Sequence, residues 1–422
     1  MNLKILSMAL STIMLTSLTG CKNVEPSINY QEKYGENFNL ENTKANKEFV
    51  YGMGDLAWSE YSWNAEGKKI DYKQTSKLMN AMGVKSVRVW LHCNWIMNDP
   101  NTFNEKGLTL AKDIVNDLDS YNFQLIGMNH SNFHKSSYSN SSSTVAKPAR
   151  DLSENSYYLQ WLDEYELTWY NLVSQFPTIT YWEIDNESNI DTFFAKLGGG
   201  TFSLKEKADI FTDMLYFASK GIHRANPNAI TIMGGLVIDT AETFLEYIYD
   251  NIAKDDAFSN YPDDYFQVAA WHPYMDSFTK EKFTRTNNDI YEVIKRREGK
   301  DKKVFLTEFG FSEGAVSVNS QKTYIKEAYD IIKNDLPYVE SCHYFRMYDD
   351  LNSTWGSSKE KTFGLYTDPK EKGMINAEGK YQNEVKASPK ETAYVYQDMA
   401  KGQGSLTTYA ELLKQLETNN EK

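Results

Sequence analysis

The ten residues TITYWEIDNE, numbered 178–187, run from a β-branched and aromatic stretch into a group of carboxylates. The apolar part has the composition of a buried strand. The stretch then ends abruptly with Asp185, Asn186 and Glu187. In a parallel α/β barrel, polar residues at the carboxyl ends of the strands form the catalytic face. The stretch therefore predicts a barrel strand that delivers Glu187 to an active site.

A second stretch repeats this pattern. Residues 303–310, KVFLTEFG, place Glu308 at the end of another apolar run. If both strands point the same way in one sheet, Glu187 and Glu308 reach the same mouth. Two carboxyl groups on either side of a sugar ring are the groups that hydrolyse a glycosidic bond. The alternative is two ordinary surface acids at strand ends, and the repetition of the pattern favours the catalytic interpretation.

Both stretches resemble signatures of one enzyme superfamily. Residues 181–187 resemble the strand-four W-E-I-x-N-E signature of the clan A retaining glycoside hydrolases, and residues 306–310 resemble their strand-seven T-E-x-G signature. These enzymes are (β/α)8 barrels that include cellulases, mannanases, β-xylosidases and β-galactosidases. The resemblance implies that Glu187 is the acid/base, that Glu308 is the nucleophile and that Asn186 holds the sugar 2-hydroxyl.

Other strand ends carry candidate substrate-binding residues. Arg88 lies within strand two, where an inward charge needs a partner, and the resemblance makes that partner Glu308. Residues 271–274, WHPY, resemble the H-P-Y motif of the clan, which implies that Tyr274 bonds Glu308 and that His272 lies near the acid/base. The remaining candidates are Asn129 and His130 after strand three, Trp271 in strand six, and His92 and Asn94 after strand two.

The chain departs from the family pattern at two places. The family usually has a bulkier apolar or aromatic residue where Asp185 stands. Many members also place a Trp on strand eight as the floor of the cleft, and we expect Tyr348 or Trp355 to replace it. Strand alternation predicts that Glu183, Asp185 and Glu187 share one side of the strand, with Glu183 deepest. A deep carboxylate requires a basic or hydrogen-bonding partner.

Strand and helix patterns alternate along the rest of the chain, which predicts a parallel sheet with crossover helices. Eight strands are countable, which favours a (β/α)8 TIM barrel of class α/β, one catalytic domain over residues 46–402 with elaborated βα loops. The fifth helix is poorly defined by the pattern. The predicted strands are 48–52, 84–90, 123–128, 178–187, 229–234, 265–271, 303–310 and 341–346, and the other helices lie near 72–82, 108–121, 157–175, 204–225, 288–298, 320–334 and 390–401.

The ends of the chain read differently from its body. Residues 1–21 predict an export signal, and Leu18 to Cys21 resemble a bacterial lipobox, which implies a lipid anchor on Cys21 and a location at the membrane or cell surface. A simple secretory signal is the alternative. Residues 22–45 predict a flexible tether, and residues 403–422 a polar tail with one packing helix. A Ser-rich insertion, 136–144, follows strand three.

Composition excludes some classes of function. A net charge of −13 argues against nucleic-acid binding, because phosphate contacts require clustered Lys and Arg. The six His lack the spacing of metal ligands, so neither a metal nor another cofactor is expected. We therefore expect a monomeric retaining glycoside hydrolase acting on β-linked poly- or oligosaccharides. A sugar-binding lipoprotein without activity and a metal-dependent hydrolase remain alternatives, and the sugar itself stays open.

Overall fold

The computed structural model describes residues 49–54, 72–134, 144–351, 358–368 and 387–406. In these residues, eight parallel strands alternate with eight longer helices. The predicted export signal with Cys21, the tether, all but the last residue of the Ser-rich insertion, Trp355 and most of the tail lie outside the described ranges.

All eight predicted strands are confirmed, with their bounds shifted by a few residues. The fifth helix, which the sequence pattern left undefined, is present as α5. The strands are β1 (Val50–Met53), β2 (Ser86–Trp90), β3 (Gln124–Asn129), β4 (Tyr181–Ile184), β5 (Ile230–Met233), β6 (Val268–His272), β7 (Lys303–Phe309) and β8 (Val339–Tyr344). The helices are α1 (Tyr72–Ala81), α2 (Glu105–Ser120), α3 (Tyr157–Ser174), α4 (Leu204–Ala225), α5 (Ala241–Ile252), α6 (Lys280–Glu298), α7 (Val318–Asp335) and α8 (Glu391–Ala400).

The strands close into a barrel. Each strand pairs in parallel with its neighbours in chain order, and β1 also pairs with β8, where Val50 lies opposite Ser341. The ring is completed between β5 and β6 by the pair Ile232 and Val268. A short strand, Leu236–Val237, continues alongside β6. The fold is therefore the predicted (β/α)8 TIM barrel, and the carboxyl ends of all eight strands face one side.

Local sequence fixes where the helices begin. Helix α4 starts with a capping box, in which Ser203 accepts from the backbone of Glu206 and the Glu206 side chain bonds back to Ser203. Its last turn carries His223 and Arg224, which complement the negative end of the helix dipole.

Among the described helices, none has the length and apolarity needed to cross a membrane.

The core has two parts. One apolar cluster fills the barrel interior and contains Ile126, Ile232, Val268, Ala270 and Phe305. The larger cluster packs the outer face of the strands against the helices, and it buries several large aromatic side chains. Much of the high aromatic content therefore serves the core. In the part of the chain that the structure describes, the fully buried Trp residues are Trp161, Trp169, Trp182 and Trp271.

Candidate active site

Glu308 lies near the end of β7 and is held on both carboxylate oxygens. Arg88 on β2 donates from Nη1 to Oε1 at 2.5 Å, and the Tyr274 hydroxyl donates to Oε2 at 2.9 Å. Burial alone would raise the pKa of Glu308, but the charges of His272 and Arg88 and the hydrogen bond from Tyr274 outweigh it and lower that pKa. The site therefore keeps Glu308 ionised.

Arg88 joins three groups of the site. Its Nε and Nη2 donate to the two oxygens of Glu183 at 2.5 and 3.1 Å, and Nη2 also donates to Oδ1 of Asn186 at 2.7 Å. Neither Arg88 nor Glu183 is exposed to solvent. The basic partner expected for Glu183 is thus Arg88, which at the same time contacts Glu308. The planar guanidinium of Arg88 therefore fixes the relative positions of β2, β4 and β7.

Glu187 reaches the site from a turn. Strand β4 ends at Ile184, and Asp185 and Glu187 then adopt left-handed backbone conformations with φ of 70° and 46°. The backbone N–H of Glu187 donates to the carbonyl of Gly235 at 2.9 Å. The prediction that strand alternation places Glu183, Asp185 and Glu187 on one side is wrong beyond Ile184, because the left-handed residues end the pleat.

His272, at the end of β6, lies between the two catalytic candidates. Its Nδ1 is 2.9 Å from Oε1 of Glu187 and 3.7 Å from Oε2 of Glu308. Its Nε2 lies 3.1 Å from Oγ1 of Thr307, and the Thr307 hydroxyl donates to Glu183 at 2.9 Å. Because that hydroxyl proton is used, Thr307 accepts from His272, and Nε2 carries a proton in either charge state.

The charge state of His272 follows from its surroundings. Burial alone would lower the pKa of His272, but the carboxylates of Glu308 and Glu187 outweigh it and raise that pKa above its usual value. Since Nε2 is committed to Thr307, the proton that His272 gains or loses is the one on Nδ1. This nitrogen faces both carboxyl groups, so His272 couples their protonation.

The two carboxyl groups lie close together. Glu187, His272 and Glu308 each present one ligand-type atom within 4.8 Å of the others. Within the described ranges, this is the one group of three acidic, His or Cys side chains with the spacing to hold a metal ion. The sequence analysis placed Glu187 and Glu308 at one mouth and, through the family resemblance, His272 near the acid/base, and the structure brings these three side chains together. The charge of Arg88 is shared between Glu308 and Glu183, and His272 faces both Glu187 and Glu308.

Gly235 allows this close arrangement. A β-carbon at this position would lie 2.1 Å from Nε2 of His272 and 2.6 Å from Oγ1 of Thr307. The backbone N–H of Gly235 donates to Glu183 at 3.0 Å, and its carbonyl accepts from Glu187. The backbone after β5 thus packs directly against the His272 ring, which only Gly permits.

Three predicted substrate-binding residues are not offered to a ligand. Asn129 is buried, and its amide bonds the backbones of Cys93 and Ser131. Trp271 points into the helix layer, where its Nε1 donates to Asn287. Tyr348 is buried, and its hydroxyl bonds that of Thr75. These three predictions are corrected for the same reason: the side chains face the packed side of their strand ends.

Asn186, His92 and His130 lie near Arg88. Asn186 uses Oδ1 for Arg88, which leaves its Nδ2 as a donor. His130 is partly exposed and stacks on His92 with ring centroids 4.0 Å apart. Burial lowers the pKa of both imidazoles, to about 3 for His92, so both rings are neutral at pH 7. Asn94 is partly buried near them, and Trp355 lies outside the described ranges.

Sequence reasoning missed two residues of the site. Thr307, which precedes Glu308, fixes the proton on Nε2 of His272 as described above. Phe345 follows β8, is partly exposed, and contacts Tyr274 edge-on with ring centroids 6.0 Å apart. The signal for Phe345 was present in the sequence, because Phe345 is two residues after the barrel-facing His343 and so shares its side of the strand.

A closed barrel with two facing glutamates at the ends of β4 and β7 is the architecture of a glycoside hydrolase. The sequence matches the family described as "Cellulase (glycosyl hydrolase family 5)" over residues 32–341, and the chain belongs to that family. No curated protein matches the chain. Family membership makes this protein a glycoside hydrolase by class.

Solved structures share the fold at low sequence identity. A GH5_18 protein from Streptomyces cattleya in complex with GlcNAc matches with a TM-score of 0.59 and 13% identity, covering 85% of this chain and 80% of that one. A family 1 β-glucosidase from Thermotoga maritima matches with a TM-score of 0.53 and 14% identity, covering 85% and 98%. A family 39 glycoside hydrolase from Bacteroides cellulosilyticus matches with a TM-score of 0.56 and 14% identity, and the alignment covers 86% of this chain but only 65% of that one.

Proposed function

We propose that the protein is a retaining glycoside hydrolase that cleaves β-linked poly- or oligosaccharides by double displacement. Glu308 is the nucleophile and Glu187 the acid/base. The observation that carries this proposal is the placement of an oxygen of Glu187 within 4.8 Å of an oxygen of Glu308. Retaining enzymes hold their carboxyl groups about 5–5.5 Å apart, whereas inverting enzymes need about 6.5–9.5 Å to admit a water.

The first step forms a glycosyl-enzyme. The Glu308 carboxylate, held by Arg88 and Tyr274, attacks the anomeric carbon while the bond to the leaving oxygen breaks. Glu187 gives its proton to that oxygen. In the second step, Glu187 takes a proton from water, and the resulting hydroxide displaces Glu308 at the same carbon. Two inversions retain the configuration, and both carboxyl groups return to their initial protonation states.

His272 supports the change of role at Glu187. When His272 carries a proton on Nδ1, that N–H donates to Oε1 of Glu187 both when Glu187 is a carboxylate and when Glu187 holds its own proton on Oε2. The contact at 2.9 Å therefore persists through both steps.

Asn186 donates through Nδ2 to the 2-hydroxyl of the sugar, and Phe345 provides the apolar face on which a pyranose ring stacks. Among β-glycans, we favour internal cleavage of long chains.

The first experiment measures hydrolysis of aryl β-glycosides and β-glycans by the wild type, Glu308→Gln and Glu187→Gln. We expect Glu187→Gln to lower kcat by about 10²–10⁴-fold on glycans. The loss should be smaller for aryl glycosides whose leaving group needs no proton, whereas Glu308→Gln should be inactive on both. The exposed Glu281→Gln is the matched control.

Proton NMR of the product formed first tests the stereochemistry. A β-anomer that later mutarotates supports retention, and an α-anomer would overturn the double displacement. Glycan binding without turnover by the wild type would instead favour the sugar-binding lipoprotein.

The location of the enzyme is a separate proposal. Export with a lipid anchor on Cys21 rests on the lipobox resemblance of the sequence alone. A Cys21→Ala variant should appear in the soluble fraction of the producing cell, whereas the wild type should sediment with membranes and take up labelled fatty acid. If the wild type takes up no lipid label, residues 1–21 are a simple secretory signal.

A further inference from the structure

Lys147 and Asp185 form a buried ion pair beside the active site. Nζ of Lys147 lies 3.2 Å from Oδ2 of Asp185, and neither side chain is exposed to solvent. Asp185 stands at the position where the sequence departs from its family. The unusual residue, Asp185, thus pairs with a lysine from a different loop.

Lys147 belongs to the segment that returns to the barrel after β3. Its short strand, Ala146–Lys147, pairs with Ala195–Lys196 in the loop after β4. The Lys147 carbonyl accepts from Leu197 at 2.8 Å, and Nζ lies 5.1 Å from the ring centroid of Phe194. The backbone of Lys147 is therefore fixed, and its side chain points from this frame towards Asp185.

Asp185 belongs to the turn that carries the acid/base. Its Oδ1 accepts from the backbone N–H of Asn186 at 3.0 Å, and its own N–H donates to the carbonyl of Asn129 at 3.0 Å. Asp185 and Glu187 both have positive φ, a conformation that costs free energy unless surrounding contacts impose it. One carboxylate thus joins Lys147 with Oδ2 and the strained turn with Oδ1.

We propose that Lys147 is a positioning residue for the acid/base: through Asp185 it holds the turn 185–187, whose first and last residues are left-handed, and so fixes Glu187 against His272. The inference rests on the function proposed above for Glu187. Lys147 does not touch the substrate in this scheme. It acts because a buried carboxylate that loses its cation must take up a proton, move towards solvent or find another partner. Each of these changes the charge or the position of the side chain whose Oδ1 holds the turn.

The same segment provides a matched control. Arg150, three residues after Lys147, bonds Asp213 on α4 through Nε at 2.7 Å and Nη2 at 3.3 Å. Asp213 also accepts from Tyr158 on α3. This pair fastens the returning segment to the helix layer, but it has no contact with the turn. Loss of Arg150 therefore loosens the segment without acting on Asp185.

The test is a double-mutant cycle of Lys147→Met and Asp185→Asn, with Arg150→Met beside it. Asn keeps the Oδ1 acceptor and tolerates positive φ. We expect Lys147→Met to lower kcat about tenfold or more, with KM within about threefold, because small misplacements of a catalytic group are costly. In the Asp185→Asn background, the same substitution should cost less than about twofold. Arg150→Met should lower Tm and leave kcat within about twofold.

Equal losses from Lys147→Met in both backgrounds would overturn the proposal, as would an unchanged kcat in a variant whose Tm has fallen. A second readout does not depend on turnover. With ¹⁵N-labelled histidine, the His272 imidazole signals should move in Lys147→Met, because Nδ1 contacts Glu187, and stay in place in Arg150→Met. If Lys147→Met does not fold, Asp185→Asn carries the same comparison. Unmoved His272 signals refute the positioning role even if the wild type hydrolyses no glycoside.

Discussion

The hydroxyl of Tyr274 donates to Oε2 of Glu308 at 2.9 Å and is one of the groups that lower the pKa of this carboxyl against the effect of burial. Tyr274→Phe removes the donor, so the pKa of Glu308 should rise. Because Glu308, the proposed nucleophile, must be ionised to attack, the acid limb of the kcat/KM profile should move to higher pH. A hydrogen bond to a charged group predicts a shift of about one pH unit.

Tyr338→Phe is the control for this shift. The hydroxyl of Tyr338 donates to Asn288 at 2.9 Å, away from the carboxyl pair. Its loss should leave the acid limb in place. A Tyr274→Phe profile that superimposes on the wild type would show that Arg88 and His272 hold Glu308 ionised without the hydroxyl.

Phe345, partly exposed beside Tyr274, is the residue we expect to replace the missing Trp platform of strand eight. Phe345→Ala removes a ring on which a sugar would stack, and we expect KM to rise about tenfold. Tyr348→Phe should leave KM unchanged and lower Tm, because the Tyr348 hydroxyl bonds Thr75 in the interior. Steady-state kinetics on one β-glycan distinguish the two. The opposite pattern would restore Tyr348 as the platform.

At the scale of secondary-structure elements, the backbone after β5 packs closely against His272 at the end of β6. A β-carbon on Gly235 would lie 2.1 Å from Nε2 of His272, so Gly235→Ala must displace the ring or the backbone. Either movement breaks the contact of His272 with Glu187. We expect kcat to fall by about 10²-fold or more, together with a lower Tm.

Gly198→Ala serves as the comparison for Gly235→Ala. Its β-carbon would meet no atom within 4 Å, and its φ of +85° makes the cost one of backbone conformation alone. That cost is about 1–2 kcal/mol of stability, with kcat retained. A Gly235→Ala enzyme with wild-type kcat would contradict the close packing after β5.

The structure could be predicted from the sequence where hydrophobic periodicity and family motifs agree. It could not be predicted where a turn sets the direction in which a side chain points. All eight strands could be predicted because each is a short apolar run between turn residues, and the partners Arg88 and Tyr274 followed from the motifs of the family. Strand β4 shows the limit. Alternation holds to Ile184 and fails at Asp185, because no local pattern announces two left-handed residues. Lys147 could not be predicted as the partner of Asp185, since a long-range pair leaves no local signal.

At the scale of the whole molecule, the two faces of the barrel have different tasks. The proposed catalytic groups lie at the carboxyl ends of the strands. Before β6 and β7, at the opposite face, Asp263 accepts from Lys300 at 2.8 Å and from Lys302 at 2.7 Å, and Lys302 also pairs with Glu298 at 3.0 Å. In such barrels, this amino-terminal face serves stability. The four charges therefore provide a place to perturb stability without touching the chemistry.

Asp263→Asn should lower the free energy of unfolding by about 3 kcal/mol at pH 7, because it leaves two largely buried lysines with one carboxylate. Burial opposes ionisation of Asp263, but Lys302 and Lys300 outweigh it and lower its pKa far below the usual value. A lowered carboxyl pKa contributes stability that is present above the unfolded-state pKa of about 3.9. This contribution is lost as pH falls through the folded-state pKa.

The difference between wild type and Asp263→Asn should therefore be constant from about pH 5 to 8. It should shrink below about pH 4, because Asp263 then takes up a proton in the unfolded wild type while it is still ionised in the folded state. Urea unfolding at pH 7, 5 and 3 measures this directly, with Asp256→Asn, an exposed acid of the same loop, as control. Activity at pH 7 should be retained, since the cluster lies at the face opposite the carboxyl pair. A difference that grows towards low pH would mean that Asp263 is stabilised in its protonated form, and that the two lysines are held mainly by Glu298.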